Sequence, residues 1–190
     1  MVRIALGLFV TAVATPALAH TGGGAAHGFA AGFAHPFSGI DHVLAMGAVG
    51  LWAWLVGGRA VWAWPLAFVG VMALGAVLGL QELGLPGVEA AVALSVVLLG
   101  LAVGLKLPLA IAAGAVVCGA FALFHGLAHG AELPAGAEIP GYMLGFGVAT
   151  ALLHAAGIGF CIAIALSERL WLPRLAGAAV AATGLAILLS

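Results

Sequence analysis

Six apolar runs, at 36–56, 60–80, 88–105, 108–129, 141–166 and 171–189, leave this chain few folds to choose from. Each is close to the ~20 residues that a helix rising 1.5 Å per residue needs to cross a hydrocarbon core of roughly 30 Å. Strands of an outer-membrane barrel run only about 9–11 residues and alternate in polarity, and neither property is present. The runs therefore predict an all-α membrane protein, a bundle of six transmembrane helices in a domain spanning 35–190. Composition agrees: 65% of the 190 residues are hydrophobic and 6% charged, against roughly 45–50% and 25% in soluble domains. The formal net charge of -1, with five Lys and Arg placed singly, offers no basic field and excludes nucleic acid as a partner.

The first nineteen residues are expected to be an address. Arg3 supplies a positive start, residues 4–13 an apolar stretch of signal-peptide length, and Ala17-Leu18-Ala19 a small-residue cleavage site. An uncleaved first span would need a longer run. Residues 20–34 then read as a glycine-rich extracytoplasmic arm carrying His20 and His27. A newly exposed amine and imidazole at His20 would chelate a divalent ion; a solvated, flexible arm is the simpler reading.

Charge placement orients the bundle. With the mature N-terminus outside, Arg59, Lys106, Arg169 and Arg174 all fall in inward loops, while Glu82, Glu89, Glu132 and Glu138 fall outside and only Glu168 is an inward acid. This is the positive-inside asymmetry expected of an inner-membrane protein whose two termini face the periplasm.

Small residues four apart, Gly75 and Gly79, Gly100 and Gly104, Gly141 and Gly145, Ala155 and Gly159, suit close helix packing and allow a homo-oligomer. Trp52, Trp54, Trp62, Trp64 and Trp171 are expected to anchor the inner interface. Cys118 and Cys161 lie deep in apolar runs as buried thiols. Pro36 and Pro108 are expected in first helical turns and Pro65 as a slight kink.

Against this apolar background, an ionisable side chain costs about 2.5–3.5 kcal/mol to insert, so such residues usually line a cavity or an ion path. They concentrate in two stretches, His35-Pro36-Phe37-Ser38-Gly39-Ile40-Asp41-His42 and Phe124-His125-Gly126-Leu127-Ala128-His129-Gly130-Ala131-Glu132, each at the outer end of a run. By helical rise Asp41 and His42 sit roughly 8–9 Å deep, His125 roughly 6–8 Å, and His154 roughly 20 Å, with His35, His129 and Glu132 at the mouth. His125 and His129, four apart, share a helix face; His35 and His42, seven apart, share one if His35 is helical. Imidazoles with one or two carboxylates fit nickel, cobalt or zinc, and the lack of a thiolate pair disfavours copper(I). These residues make a descending series of candidate metal ligands ending at His154, although a solitary histidine such as His154 is by itself more often a packing residue bonded to a neighbouring helix. Clustering argues otherwise for the rest, because every polar group carries its own desolvation cost.

The pattern His35-Pro36-x-x-Gly39-x-Asp41-His42 with Leu44-Ala45-Met46 and Gly50-Leu51-Trp52, and the pattern Phe124-His125-Gly126-x-Ala128-His129-Gly130-x-Glu132, resemble the two signatures of the HupE/UreJ family. The likeness extends to Ala149-Thr150-x-x-Leu153-His154 and covers nearly the whole mature chain. It implies a secondary permease for nickel or cobalt serving a hydrogenase or urease, with His35, Asp41, His42, His125, His129 and Glu132 functional and the ion a transported substrate, with no permanent cofactor. No G-x-x-x-x-G-K-[ST] sequence is present, so the expected driving force is the membrane potential or an ion gradient. Two alternatives stay open from the residues themselves. One is an intramembrane zinc hydrolase, which lacks a His-Glu-x-x-His motif; the other is a membrane metal-binding accessory protein that does not transport.

Overall fold

The computed structural model describes residues 24–81, 85–133, 138–166, 169 and 171–190, with side chains from 28 onward. The expected signal peptide (1–19), His20, Glu82, Glu168 and the side chain of His27 lie outside the described residues. Among the described residues every regular element is helical: α1 Gly24–Ala34, α2 Ile40–Val56, α3 Ala60–Gly79, α4 Val88–Gly104, α5 Ile111–Ala131, α6 Ile139–Ala165 and α7 Leu172–Leu188. Three of these, α3, α5 and α6, are long and apolar enough to cross a membrane, and a fourth span results if the bent pair of α1 and α2 counts as one. Helices α4 and α7 are apolar but shorter, at 17 residues each.

Helix α2 is the hub, touching α3, α4, α6 and α7, while α3 pairs with α5, α4 with α7 and α1 with α6. Consecutive helices from α2 to α7 alternate in direction. The beginnings of α2 and α4 meet the ends of α5 and α7 around one vestibule, lined by Asp41, Glu89, Glu132 and Ser190. At the opposite end, Trp52 of α2 bonds Leu107 O and Arg174 of α7 bonds Gly104 O.

Backbone approach replaces side-chain interdigitation along the main seam. A Cβ on Gly126 or Gly130 of α5 would strike the Met72 and Ala76 carbonyls of α3, and the facing Gly75 and Gly79 are equally crowded. Small residues on both helices are what permit this contact, where no hydrophobic drive separates protein from lipid tails. Ala155 and Gly159 are exposed instead, with nothing near Gly159.

Three expectations are corrected here. The segment expected to be a loose arm is helical from Gly24 and packed: Gly28 and Gly32 lie against the backbone of Glu138 and Tyr142, and Gly145 against Phe29 O. Glycines that looked like flexibility are spaced one helical turn apart and make a flat packing face. Pro36 opens no long helix. It sits in a 3-10 turn, His35–Phe37, followed by Gly39 in extended conformation (φ -108°, ψ 121°), so α2 starts at Ile40 after a bend of 82°. The break falls at Gly39, whose extended backbone ends the turn and serves as the N-cap from which the chain restarts as a helix. Pro108 likewise precedes α5, whereas α3 runs through Pro65 without a break. Finally, Trp52 and Trp64 are core residues, 1% and 0% exposed, with ring centroids 4.5 Å apart and their N–H groups donating to Leu107 O and Ile111 O. Trp62 and Trp171 are exposed as interfacial rings would be. Cys118 and Cys161 are buried free thiols.

Candidate metal site

Four elements converge to bring most of the expected residues together. The 3-10 turn presents His35, the first turn of α2 presents Asp41 and His42, the last two turns of α5 present His125 and His129, and Glu132 follows as the residue that ends α5. Helix α6 closes the side with Tyr142 and Phe146 against His35. It is held at this level by a defined start: Glu138 accepts a hydrogen bond from Gly141 N at 2.8 Å, satisfying one of the free N–H groups of the first turn, and Pro140 occupies that turn, where its missing N–H costs nothing.

The rings form a chain. His35 and His129 lie 4.5 Å apart by centroid, His129 and His42 4.2 Å, and His42 and His125 4.8 Å. At the mouth, His35 Nε2 is 3.4 Å and His129 Nδ1 3.9 Å from the Glu132 carboxylate. Donors that are each about 2.1 Å from a bound ion lie roughly 3–4 Å from one another, so this trio has the spacing of a metal site. The shared helix face of His125 and His129 is present, both buried. The predicted shared face of His35 and His42 is not, because His35 is off the helix; the bend delivers it to the same cluster by another route.

Asp41 stands behind His42 rather than beside it as an independent donor. Its Oδ1 accepts from His42 Nδ1 at 2.7 Å and from His42 N at 2.9 Å. A carboxylate on one ring nitrogen orients the ring and strengthens the other nitrogen as a donor to metal. The pKa of His35, at the turn, is lowered chiefly by burial, with the Glu132 carboxylate acting in the opposite sense. That ring therefore stays neutral, and able to bind metal, to a more acidic pH than a free imidazole.

Buried polar atoms in proteins nearly always have a partner, and this site is full of exceptions. His42 Nε2, His125 Nδ1 and both ring nitrogens of His129 are buried with none. His154 is not part of the cluster. Its ring meets Phe68 edge-on at 5.2 Å, and Phe68 in turn lies 5.7 Å from His125, so one aromatic side chain separates the levels. His154 Nδ1 is fixed on Met46 O at 2.7 Å and its Nε2 is unpartnered. Gly50 permits that placement, since a Cβ there would collide with His154 O.

Two residues were not singled out as ligands from sequence. Glu89 lines the vestibule, a cavity of about 400 Å³ that also touches Asp41, His42 and Glu132; its position at the outer start of an apolar run was the available signal. Ser95, fully buried in the middle of α4, lies 2.9 Å from His125 Nε2. A lone serine in an apolar run gives little to read.

Comparison with known proteins agrees with the two motifs. A family model described as HupE / UreJ protein matches residues 8–187. Protein HupE of Rhizobium leguminosarum bv. viciae is 48% identical over 180 residues, covering 94% of this chain and 94% of that one. No solved structure matches. Matched over almost its full length by the family model and by a relative of this identity, the chain belongs to the HupE/UreJ family.

Proposed function

We propose that this protein is a secondary permease that takes up nickel, with cobalt as the competing substrate, across the inner membrane to supply a metalloenzyme such as a hydrogenase or urease. The observation that carries the reading is the group of unpartnered, buried imidazole nitrogens beside a carboxylate-lined vestibule. Leaving such atoms unpaired costs about 1–3 kcal/mol each, and a ligand that satisfies them offsets that cost. A hydrated cation would enter among Asp41, Glu89 and Glu132, lose water to His35, His129 and Glu132, and pass to His42 and His125. Phe68 then stands between this upper site and His154, the next donor inward. A divalent ion gains about 4.6 kcal/mol on moving inward through 100 mV, enough for accumulation without a nucleotide.

The reading takes α2 to α7 as six spans. Helices α4 and α7 have 17 residues, the lower limit for a span, and the alternating directions of α2 to α7 put Arg59, Lys106 and Arg174 at the end away from the vestibule. A periplasm-active reporter fused after Gly87 is expected to be active and one fused after Lys106 silent. The reverse pattern would turn uptake into efflux. The hydrolase alternative gains nothing from Ser95, whose hydroxyl donates to Val92 O and not to a histidine. The deciding experiment is uptake of nickel and cobalt into proteoliposomes with an inside-negative potential. Accumulation no greater than in protein-free vesicles, with nickel still bound, would identify a metal-binding accessory protein instead.

A further inference from the structure

Ser95 has one hydroxyl proton and two close neighbours. Its Oγ lies 2.6 Å from Val92 O, three residues back on α4, and 2.9 Å from His125 Nε2 on α5. A carbonyl oxygen can only accept, so the shorter contact takes the proton; two oxygens at that distance without one between them would repel. Oγ is left as an acceptor, and His125 must then donate from Nε2. The imidazole has a single N–H when neutral, so Nδ1 carries the lone pair. That is the nitrogen buried without a partner, on a ring in edge contact with His42.

We propose that Ser95 is a positioning residue of the upper site: it fixes His125 as the Nε2–H tautomer and so aims Nδ1 as the donor to the metal ion. The assignment rests on the reading of His125 as a ligand and adds to it the atom used and the residue that selects it. Two other histidines show the same construction with different acceptors. Asp41 holds His42 by Nδ1, and Met46 O holds His154 by Nδ1, each leaving Nε2 unpartnered. His125 is the inverted member of the set, held by Nε2. It is also the one whose holder is a removable side chain in a span that bears no other buried polar residue among those described. Fixing tautomer and ring orientation from behind is the usual work of groups one layer out from a metal, and their loss typically weakens metal binding about 10–100-fold.

The test uses full-length protein in lipid nanodiscs, with ¹⁵N-labelled histidine and no metal, at pH 8. The His125 signals, assigned by comparison with His125→Ala, are expected to show a protonated Nε2 and an unprotonated Nδ1. In Ser95→Ala, which removes only a hydroxyl, that pattern should become a mixture of tautomers and nickel affinity should fall about tenfold. Ser95→Thr, which keeps the hydroxyl and its bond to the preceding turn, should restore the wild-type pattern. A wild-type His125 protonated at Nδ1 would overturn the proposal. So would a Ser95→Ala protein whose nickel affinity and spectrum match wild type. His125→Ala separates the two levels of the argument: if it binds nickel normally, His125 is no ligand and the site reading fails; if it loses binding while Ser95→Ala does not, only the role of Ser95 falls.

Discussion

The two ends of the bundle treat buried polar groups in opposite ways. At the end bearing Lys106 and Arg174, Trp52 and Trp64 are deeply buried, yet each N–H reaches a backbone carbonyl at 2.9 Å. At the vestibule end, four ring nitrogens of His42, His125 and His129 are also buried and have no hydrogen-bond partner. Both ends carry the desolvation cost of polar atoms in an apolar protein, and only one recovers it within the chain. On the function proposed above, the first end is scaffold and the second is completed by the metal ion.

The largest effect is expected where the contrast is greatest. Replacing His129 with Ala removes the ring whose two nitrogens both lack a hydrogen-bond partner, so nickel uptake should drop by about 100-fold or more, beyond the loss typical of an outer-layer group. Stability without metal should stay within about 1 kcal/mol, since the lost packing is offset by one buried polar ring fewer. A thermal melt beside an uptake assay checks both, and a collapse of stability with unchanged uptake in the surviving fraction would make His129 scaffold.

His154 tests whether the contrast extends inward past Phe68. Ala there should leave nickel binding at the vestibule intact while slowing uptake about tenfold, equivalent to ~1.4 kcal/mol on the inward barrier. Equal uptake by mutant and wild type would return His154 to the packing role that its bond to Met46 O also fits.

Acidity probes the mouth. Metal binds neutral imidazole, so protons compete as the outer pH falls through about 6.5. Because burial lowers the pKa of His35, its protonation, and the loss of that ligand, comes below that value. Uptake against external pH at constant potential should thus decline by a few-fold towards pH 5. A steep rise on acidification would mean that protons drive entry.

The smallest effect is expected at the scaffold end. Trp64→Phe deletes the donor to Ile111 O and should cost about 1–2 kcal/mol of stability, with uptake per folded molecule unchanged. A loss of transport at full stability would show that the two ends are coupled.

Much of this was legible in the chain. Long apolar runs specify helices because backbone groups in hydrocarbon must bond within their own segment, and the six runs correspond to α2 through α7. The two motifs could be found because histidine and acid stand out against an apolar background. Other features were not legible. Glycines at 24, 28 and 32 look the same whether they loosen an arm or flatten a helix face, and the surface of α6 opposite decides which. Trp52 and Trp64 carry the same sequence signal as Trp62 and Trp171, and only the positions of Leu107 O and Ile111 O draw the first pair inward.

By itself, the sequence determined an all-helical membrane protein of the HupE/UreJ family and the identity of its polar residues, because composition and spacing act within single segments. Tertiary structure decided how those residues are used. It moved Asp41 behind His42, brought His35 to His129 across an 82° bend, put Phe68 between His125 and His154, and set Ser95 of α4 against a ring of α5. Each depends on where one helix lies against another, and that is fixed by backbone contacts at glycines such as Gly126 and Gly50, whose partners lie far away along the chain.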